Sequence, residues 1–322
     1  MSCRNKGVRG GFSAIGLLLS IMIFLILSPF LVRMVGMGVE HAAAFADRRK
    51  AFARIAAVEA FLRAPAFYCG LGIPVAPDDY RASFGNANYM PYSWAGPVSA
   101  GKPPFSISQN SLPNCALFIA YAPPGGSRLA DDVTLSDVNT FLPLNAEPAG
   151  NEIKSASSSG YMETNNWITF PGSIPQKQLL KVRSINGTRI GVQSLTGENI
   201  SIQKNDRMHL FRVLILFVER DILYSYDYRT SGKQPRIFGI RDLRFEVDVE
   251  KQKLTAYVLA RGDRPYDGPE RIIGADAWPE EYLAYWNGKA SEQQLFAKKI
   301  VWGLPNCTAT SLLEREDAAE RF

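Results

Sequence analysis

FSAIGLLLSIMIFLILSPFLV, residues 12–32, runs for 21 positions without a charge, and VEHAAAFADRRKAFARIAAVEAFLRA, residues 39–64, follows it closely. An α-helix rises about 1.5 Å per residue, so the first stretch covers about 30 Å, the thickness of a bilayer's hydrocarbon core. The preceding residues 1–11, MSCRNKGVRGG, are short, glycine-rich and basic. Positive flanks stay in the cytoplasm, which puts everything after Arg33 outside. A secretory signal peptide is the rival reading. Its apolar core is usually about 7–15 residues long and ends in a small-residue cleavage site. Here the run is longer and passes straight into a charged, helix-forming stretch. Pro29 is a point where the helix kinks or loosens a turn.

Residues 39–64 are rich in Ala, Arg, Glu and Leu and contain no Pro or Gly, a composition with strong helical propensity. Phe45, Phe52, Ile55, Ala56, Val58, Glu59, Phe61 and Leu62 recur near helical spacing, while Arg48, Arg49, Lys50 and Arg54 fall largely elsewhere. Gly36 and Gly38 mark a soft point, and Pro65 ends the pattern. The expectation is one helix of about fifty residues, its first half in lipid and its second half against a domain.

Beyond it the sequence turns β-like. Most of the 26 glycines and 20 prolines lie past residue 64, which implies many turns and few long helices. Ala116–Tyr121 and Trp167–Phe170 are short apolar strand candidates, and residues 154–160, KSASSSG, read as a loop. Leu210–Val218 is a strongly apolar strand candidate, followed by an alternating one at Asp221–Tyr228 and a hairpin-like link, RTSGKQP. Phe245, Val247 and Val249 alternate with Glu246, Asp248 and Glu250, the period of a half-buried strand. Leu254–Arg261 completes an antiparallel meander with one covered and one wet face. The fold class is therefore α+β: a long N-terminal helix, transmembrane then amphipathic, packed on a mostly antiparallel sheet. Its divisions are a basic leader (1–11), the membrane helix (12–32), its continuation (33–65), a β-rich domain outside the cytoplasm (66–307) and a C-terminal tail (308–322).

Gly10-Gly11-Phe12-Ser13-Ala14-Ile15-Gly16-Leu17-Leu18 resembles the prepilin signal of type IV pilins and type II secretion pseudopilins, over roughly residues 1–50. The resemblance implies cleavage by a prepilin peptidase between Gly11 and Phe12, N-methylation of Phe12, and packing of the apolar helix into a filament core with other pilin or pseudopilin subunits. The sequence departs from the family at Gly16, where most members carry Glu to pair with a neighbour's terminal amine. A subunit without that carboxylate suits the tip of a fibre rather than every position along it. Leu223-Tyr224, Gly239-Ile240-Arg241-Asp242-Leu243-Arg244-Phe245 and Val258-Leu259-Ala260-Arg261-Gly262 are similar to the C-terminal sheet of PilW-like and GspJ-like minor subunits. By this route residues 263–322 are longer than the fold needs and end in a short helix or frayed tail.

Little in the sequence carries catalytic chemistry. His41 and His209 are the two histidines, and neither has a His/Cys/carboxylate spacing around it. Nucleotide, hydrolase and metalloprotease motifs are missing, and Lys/Arg blocks interleaved with aromatics, the mark of a nucleic-acid groove, are missing too. The net charge of +5 owes three charges to Arg4, Lys6 and Arg9, so the basic balance speaks of topology rather than of polyanions. Asp263, Asp267 and Glu270 fall in GDRPYDGPE, a turn-rich oxygen-donor segment, and Asp131-Asp132 is another cluster; calcium ligands and a solvated acidic loop are the two readings. Of the four cysteines, Cys3 lies in the leader, leaving Cys69, Cys115 and Cys307 for at most one disulfide. Cys69–Cys115 would staple the helix end to the start of the β domain, against the alternative of three unrelated buried thiols.

The functional expectation is a non-enzymatic minor pilin or pseudopilin that helps initiate, assemble or cap a type IV pilus or secretion pseudopilus. It would sit in the bacterial inner membrane with its domain in the periplasm, or at a pilus or pseudopilus tip. The alternatives are a single-pass anchored envelope protein with a β-rich binding domain and a membrane-tethered hydrolase.

Overall fold

The computed structural model describes residues 14–72, 97–102, 112–135, 140–146, 166–172, 179–194, 200–227, 232–248, 250–266, 272–287 and 292–307. Two units divide the chain, residues 1–50 and residues 51–322. Helix α1 spans Ala14–Tyr68, 55 residues. Pro29, Gly36 and Gly38 lie within it without a break. Pro65 does not end it, contrary to the sequence expectation. A proline in the last turn forfeits one hydrogen bond but keeps a helical φ, and burial of Pro65 and Ala66 offsets that loss. What stops the helix is the next turn. Cys69 swings into an isolated antiparallel bridge with Tyr121, and Gly70 takes φ +78°, the left-handed conformation that ends helices.

Seventeen strands follow among the described residues. They are β1 (Val98–Gly101), β2 (Ala116–Tyr121), β3 (Pro124–Arg128), β4 (Val133–Leu135), β5 (Thr140–Pro143) and β6 (Trp167–Thr169). Next come β7 (Leu180–Asn186), β8 (Arg189–Ser194), β9 (Ile200–Ile202), β10 (Arg207–Leu210), β11 (Arg212–Glu219) and β12 (Ile222–Asp227). The last are β13 (Gly232–Phe238), β14 (Ile240–Asp248), β15 (Lys253–Pro265), β16 (Ile272–Ile273) and β17 (Gln293–Gly303), with helix α2 (Glu280–Asn287) before β17. They form a five-stranded sheet (β1-β2-β11-β12-β13), a six-stranded sheet (β3-β10-β6-β7-β8-β5), a four-stranded sheet (β14-β15-β17-β16) and the pair β4-β9. Among the described pairings β16–β17 is parallel and the rest are antiparallel.

Several sequence readings shift here. Leu210–Val218 is not one strand: Leu210 ends β10 in the six-stranded sheet and Arg212 opens β11 in the five-stranded one, with Phe211 at the crossing. Hydrophobicity alone cannot show such a switch, because both sheets bury the run. Most of RTSGKQP is strand β13 rather than link; Pro235 is tolerated because β13 lies at a sheet edge, where a missing N–H costs no ladder bond. Residues past 263 are no appendage either. β17 pairs with β15 from Lys253↔Gly303 to Pro265↔Gln293, placing it inside the four-stranded sheet. The KSASSSG segment and the tail 308–322 lie outside the described residues.

In the second unit, Ala51, Ile55, Val58, Leu62 and Ala66 form a stripe at three- and four-residue spacing, each no more than 1% exposed. They pack with Leu117 and Ile119 of β2, Leu214 and Leu216 of β11, Leu243 and Phe245 of β14, and Val258 of β15. The helix thus fills one core together with strands of two sheets. Phe52, Ala56 and Phe45, expected on the apolar face, are exposed instead. A second core joins the six-stranded sheet to β4-β9 through Phe170, Ile190 and Met208, among others. On the other face of the four-stranded sheet, Tyr257, Trp278, Tyr282, Leu283 and Trp286 make an aromatic cluster under α2. α2 thus covers this face over Tyr257, Leu259, Leu295 and Ala297, whereas Lys253, Lys299 and Val301 stay exposed, so the wet face that alternation implied is kept only at the other end of the sheet.

Candidate functional site

Two features stand apart from ordinary packing. The first is the N-terminal part of α1, a long, strongly apolar stretch none of which is buried. By length and composition it can cross a membrane. Leu17, Leu18, Met22, Phe24 and Leu25 are each more than half exposed, an arrangement water disfavours and lipid or other helices would cover. A Cβ at Gly16 would meet nothing within 4 Å, so this chain's own packing does not demand glycine there. Gly11 and Phe12 lie outside the described residues.

The second is a charged clasp where the helical stripe meets β12, β14 and β15. Arg54 donates from Nη1 to the Arg261 carbonyl at 2.6 Å and from Nη2 to Asp263 Oδ1 at 2.6 Å. Arg261 reaches Asp263 at 3.6 Å and Asp221 at 3.1 Å, and Arg241 donates to Asp221 Oδ1 at 2.8 Å. Gly239 makes the approach possible. Its φ is +81°, and a Cβ there would stand 2.6 Å from Arg54 Cζ. Its N–H donates to Asp221 O at 2.7 Å, and its carbonyl accepts from Arg261 N at 3.0 Å. The clasp therefore gathers residues beside or within all three similar segments: Asp221 two positions before Leu223, Gly239 itself, and Arg261.

The same geometry defines the surroundings of Asp263, the one described residue of the three calcium candidates. Two guanidinium groups occupy the carboxylate's surroundings, which disfavours a divalent cation there. Asp267 and Glu270 lie outside the described residues. Asp131 pairs with Lys204 at 3.5 Å, and Asp132 accepts from the Lys204 backbone N–H at 2.6 Å. Among the described residues, no group of three or more His, Cys, Asp or Glu side chains is placed to hold a metal ion.

His41 is exposed on α1. Half-buried His209 has its Nδ1 2.7 Å from the Ala122 carbonyl, and burial lowers its pKa below the ordinary value. Cys69, Cys115 and Cys307 are all thiols and all buried. The expected Cys69–Cys115 link does not fit the fold: Cys69 bridges Tyr121, at the opposite end of β2 from Cys115. Six strand positions span about 20 Å, far beyond the roughly 7 Å that a disulfide allows between Cα atoms. Burial pushes the Cys115 thiol up, and the charges acting on it include Arg244 and Asp242.

The residues that sequence reasoning passed over are Asp242 and Arg244, 0% and 1% exposed on β14. Arg244 Nε donates to both carboxylate oxygens of Asp242 at 3.1 and 2.9 Å, and its Nη1 donates to the Pro113 carbonyl at 2.6 Å. Trp286 Nε1 donates to Asp242 Oδ2 at 2.7 Å, tying α2 to the sheet. Burial pushes the Asp242 carboxyl up, against the pull of Arg244, Trp286 and the Leu243 N–H. Buried and bonded to each other, to Pro113 and to Trp286, the two side chains lock β14 to its surroundings.

No family model and no curated protein matches the chain. Among solved structures, phage phi92 endosialidase aligns with 9% identity over 60% of this chain and 45% of that one, at a TM-score of 0.16. The alignment thus spans less than half of that protein's length, and a likeness so low carries no argument about fold or activity.

Proposed function

We propose that the chain is a single-pass membrane protein, held by residues 12–32, that presents its β-rich domain outside the cytoplasm as a non-enzymatic binding or assembly module. The observation that supports this most is the unburied apolar stretch of α1. Such a surface costs about 25 cal/mol for every Å² left in water, and a bilayer removes the cost. The basic leader sets the orientation. The expected result of alkaline carbonate extraction is a chain that stays with the membrane pellet. Met22→Asp with Leu25→Asp places two carboxylates inside the span, at about 2.5–3.5 kcal/mol each, and moves the chain to the supernatant. Release of the unaltered chain by carbonate would overturn the reading.

A second, narrower reading is a minor pilin or pseudopilin. It is favoured by one specific observation: the apolar helix leads into a buried spine, Ala51–Ala66, packed on antiparallel sheets, the arrangement that the pilin resemblance implies. In such an assembly the work is mechanical. The membrane stores the subunit, the apolar helix then buries itself among other helices, and the β domain makes lateral contacts. The purified protein's first residue tests it. N-methylated Phe12, lost when Gly11→Ala blocks the prepilin peptidase, supports this reading; an intact Met1 leaves only the broader one.

A further inference from the structure

The strongest unassigned feature is a pair of sulfurs. Cys69 and Cys307 are 238 positions apart, yet their Sγ atoms lie 3.4 Å from each other, and both residues are 0% exposed. The surroundings hold this approach from several sides. Asn306 Nδ2 donates to the Phe67 carbonyl at 2.7 Å, and Cys307 Sγ lies 3.5 Å from the Cys69 carbonyl. The backbone of the turn is equally close: a Cβ at Gly70 would stand 2.7 Å from the Asn306 carbonyl and 3.0 Å from Cys307 Sγ. Only a residue without a side chain, in a left-handed conformation, lets the end of α1 and the chain after β17 meet this tightly. Cys115 offers no competing partner, being at the far end of β2.

We infer that Cys69 and Cys307 form a structural disulfide that locks the C-terminal end of α1 to the end of the four-stranded sheet. A bond near 2.05 Å needs the sulfurs to close by roughly 1.4 Å, within the reach of side-chain rotation. In the reaction, the thiolate of one cysteine attacks a disulfide supplied by an oxidase or by glutathione. The mixed disulfide is then displaced by the second thiolate. One S–S bond forms here and one is reduced to two thiols in the oxidant, which takes the two electrons and two protons. For the supply of that oxidant in the cell the inference rests on the extracytoplasmic placement proposed above.

The test uses the full chain in detergent, refolded in a reduced/oxidised glutathione buffer, then alkylated under denaturing conditions and digested for mass spectrometry. The expected result is one cross-linked species joining the Cys69 and Cys307 peptides, two hydrogens lighter than the thiol pair, with Cys115 alkylated. Cys115→Ser retains the link, and Cys69→Ser or Cys307→Ser abolishes it. A Cys69–Cys115 link, or Cys69, Cys115 and Cys307 all found alkylated after refolding, overturns the inference. Because the oxidant is added in the test tube, this result does not depend on where the domain resides, so a failure of the topology and a failure of the pairing are read separately.

Discussion

Asp242 and Arg244 show how much a single buried pair can decide. Removing one partner leaves the other charged and dry, a loss of about 3–5 kcal/mol, whereas replacing both by apolar groups is often near neutral. Asp242→Ala should therefore lower the urea-unfolding free energy by about 3–5 kcal/mol, and Asp242→Leu with Arg244→Met by clearly less. Equal losses in the two would contradict the lock. His209 gives a pH signature. Its folded pKa is lowered by burial, so between that value and about 6.5 the unfolded chain holds more protons. Stability is complete above the unfolded pKa and declines as pH falls through the folded one. His209→Gln should flatten that decline below about pH 6.5, read as melting temperature against pH. Neither role was legible in the sequence. Asp242 and Arg244 sit in a strand whose apolar neighbours already accounted for one face, and nothing local announces that α2 closes the other.

At the scale of elements, periodicity was informative where one surface decides burial and misleading where two do. The long helix and the β2 strand stand where their patterns put them. The helix's buried stripe was blurred by Phe45, Phe52 and Ala56, because size and apolarity do not say which side the sheet takes. Leu62→Ala should cost about 2–5 kcal/mol by chemical denaturation, while Phe45→Ala, at a residue 69% exposed, should cost under about 0.5. A reversed order would mean that the spine faces the other way. β10 and β11, read as one strand, are divided by a change of sheet, and β13 hid behind its glycine, lysine and proline because edge strands accept what central ones reject. Gly239 was legible only as part of a similar segment. Its role is room for Arg54, so Gly239→Ala should cost about 1–3 kcal/mol through backbone strain and a displaced guanidinium.

For the whole molecule, the apolar N-terminal helix and the β-rich domain were both readable at coarse grain, since each follows from long runs: an uncharged stretch, a helical stretch, then alternating strands. The place of β17 was not, because it finds its partner β15 across a connection that carries α2. The cysteines failed for the same reason: proximity of Cys69 to Cys307 is created by topology, not by spacing. On the function proposed above, one apolar helix holds this domain across the membrane from the cytoplasm. Lys253→Cys, at an exposed position on β15, gives a handle on it. The decisive measurement is reaction of that thiol with a membrane-impermeant maleimide in intact spheroplasts, compared with lysed ones. Equal labelling before and after lysis is the predicted result; labelling that appears only after lysis would contradict the account.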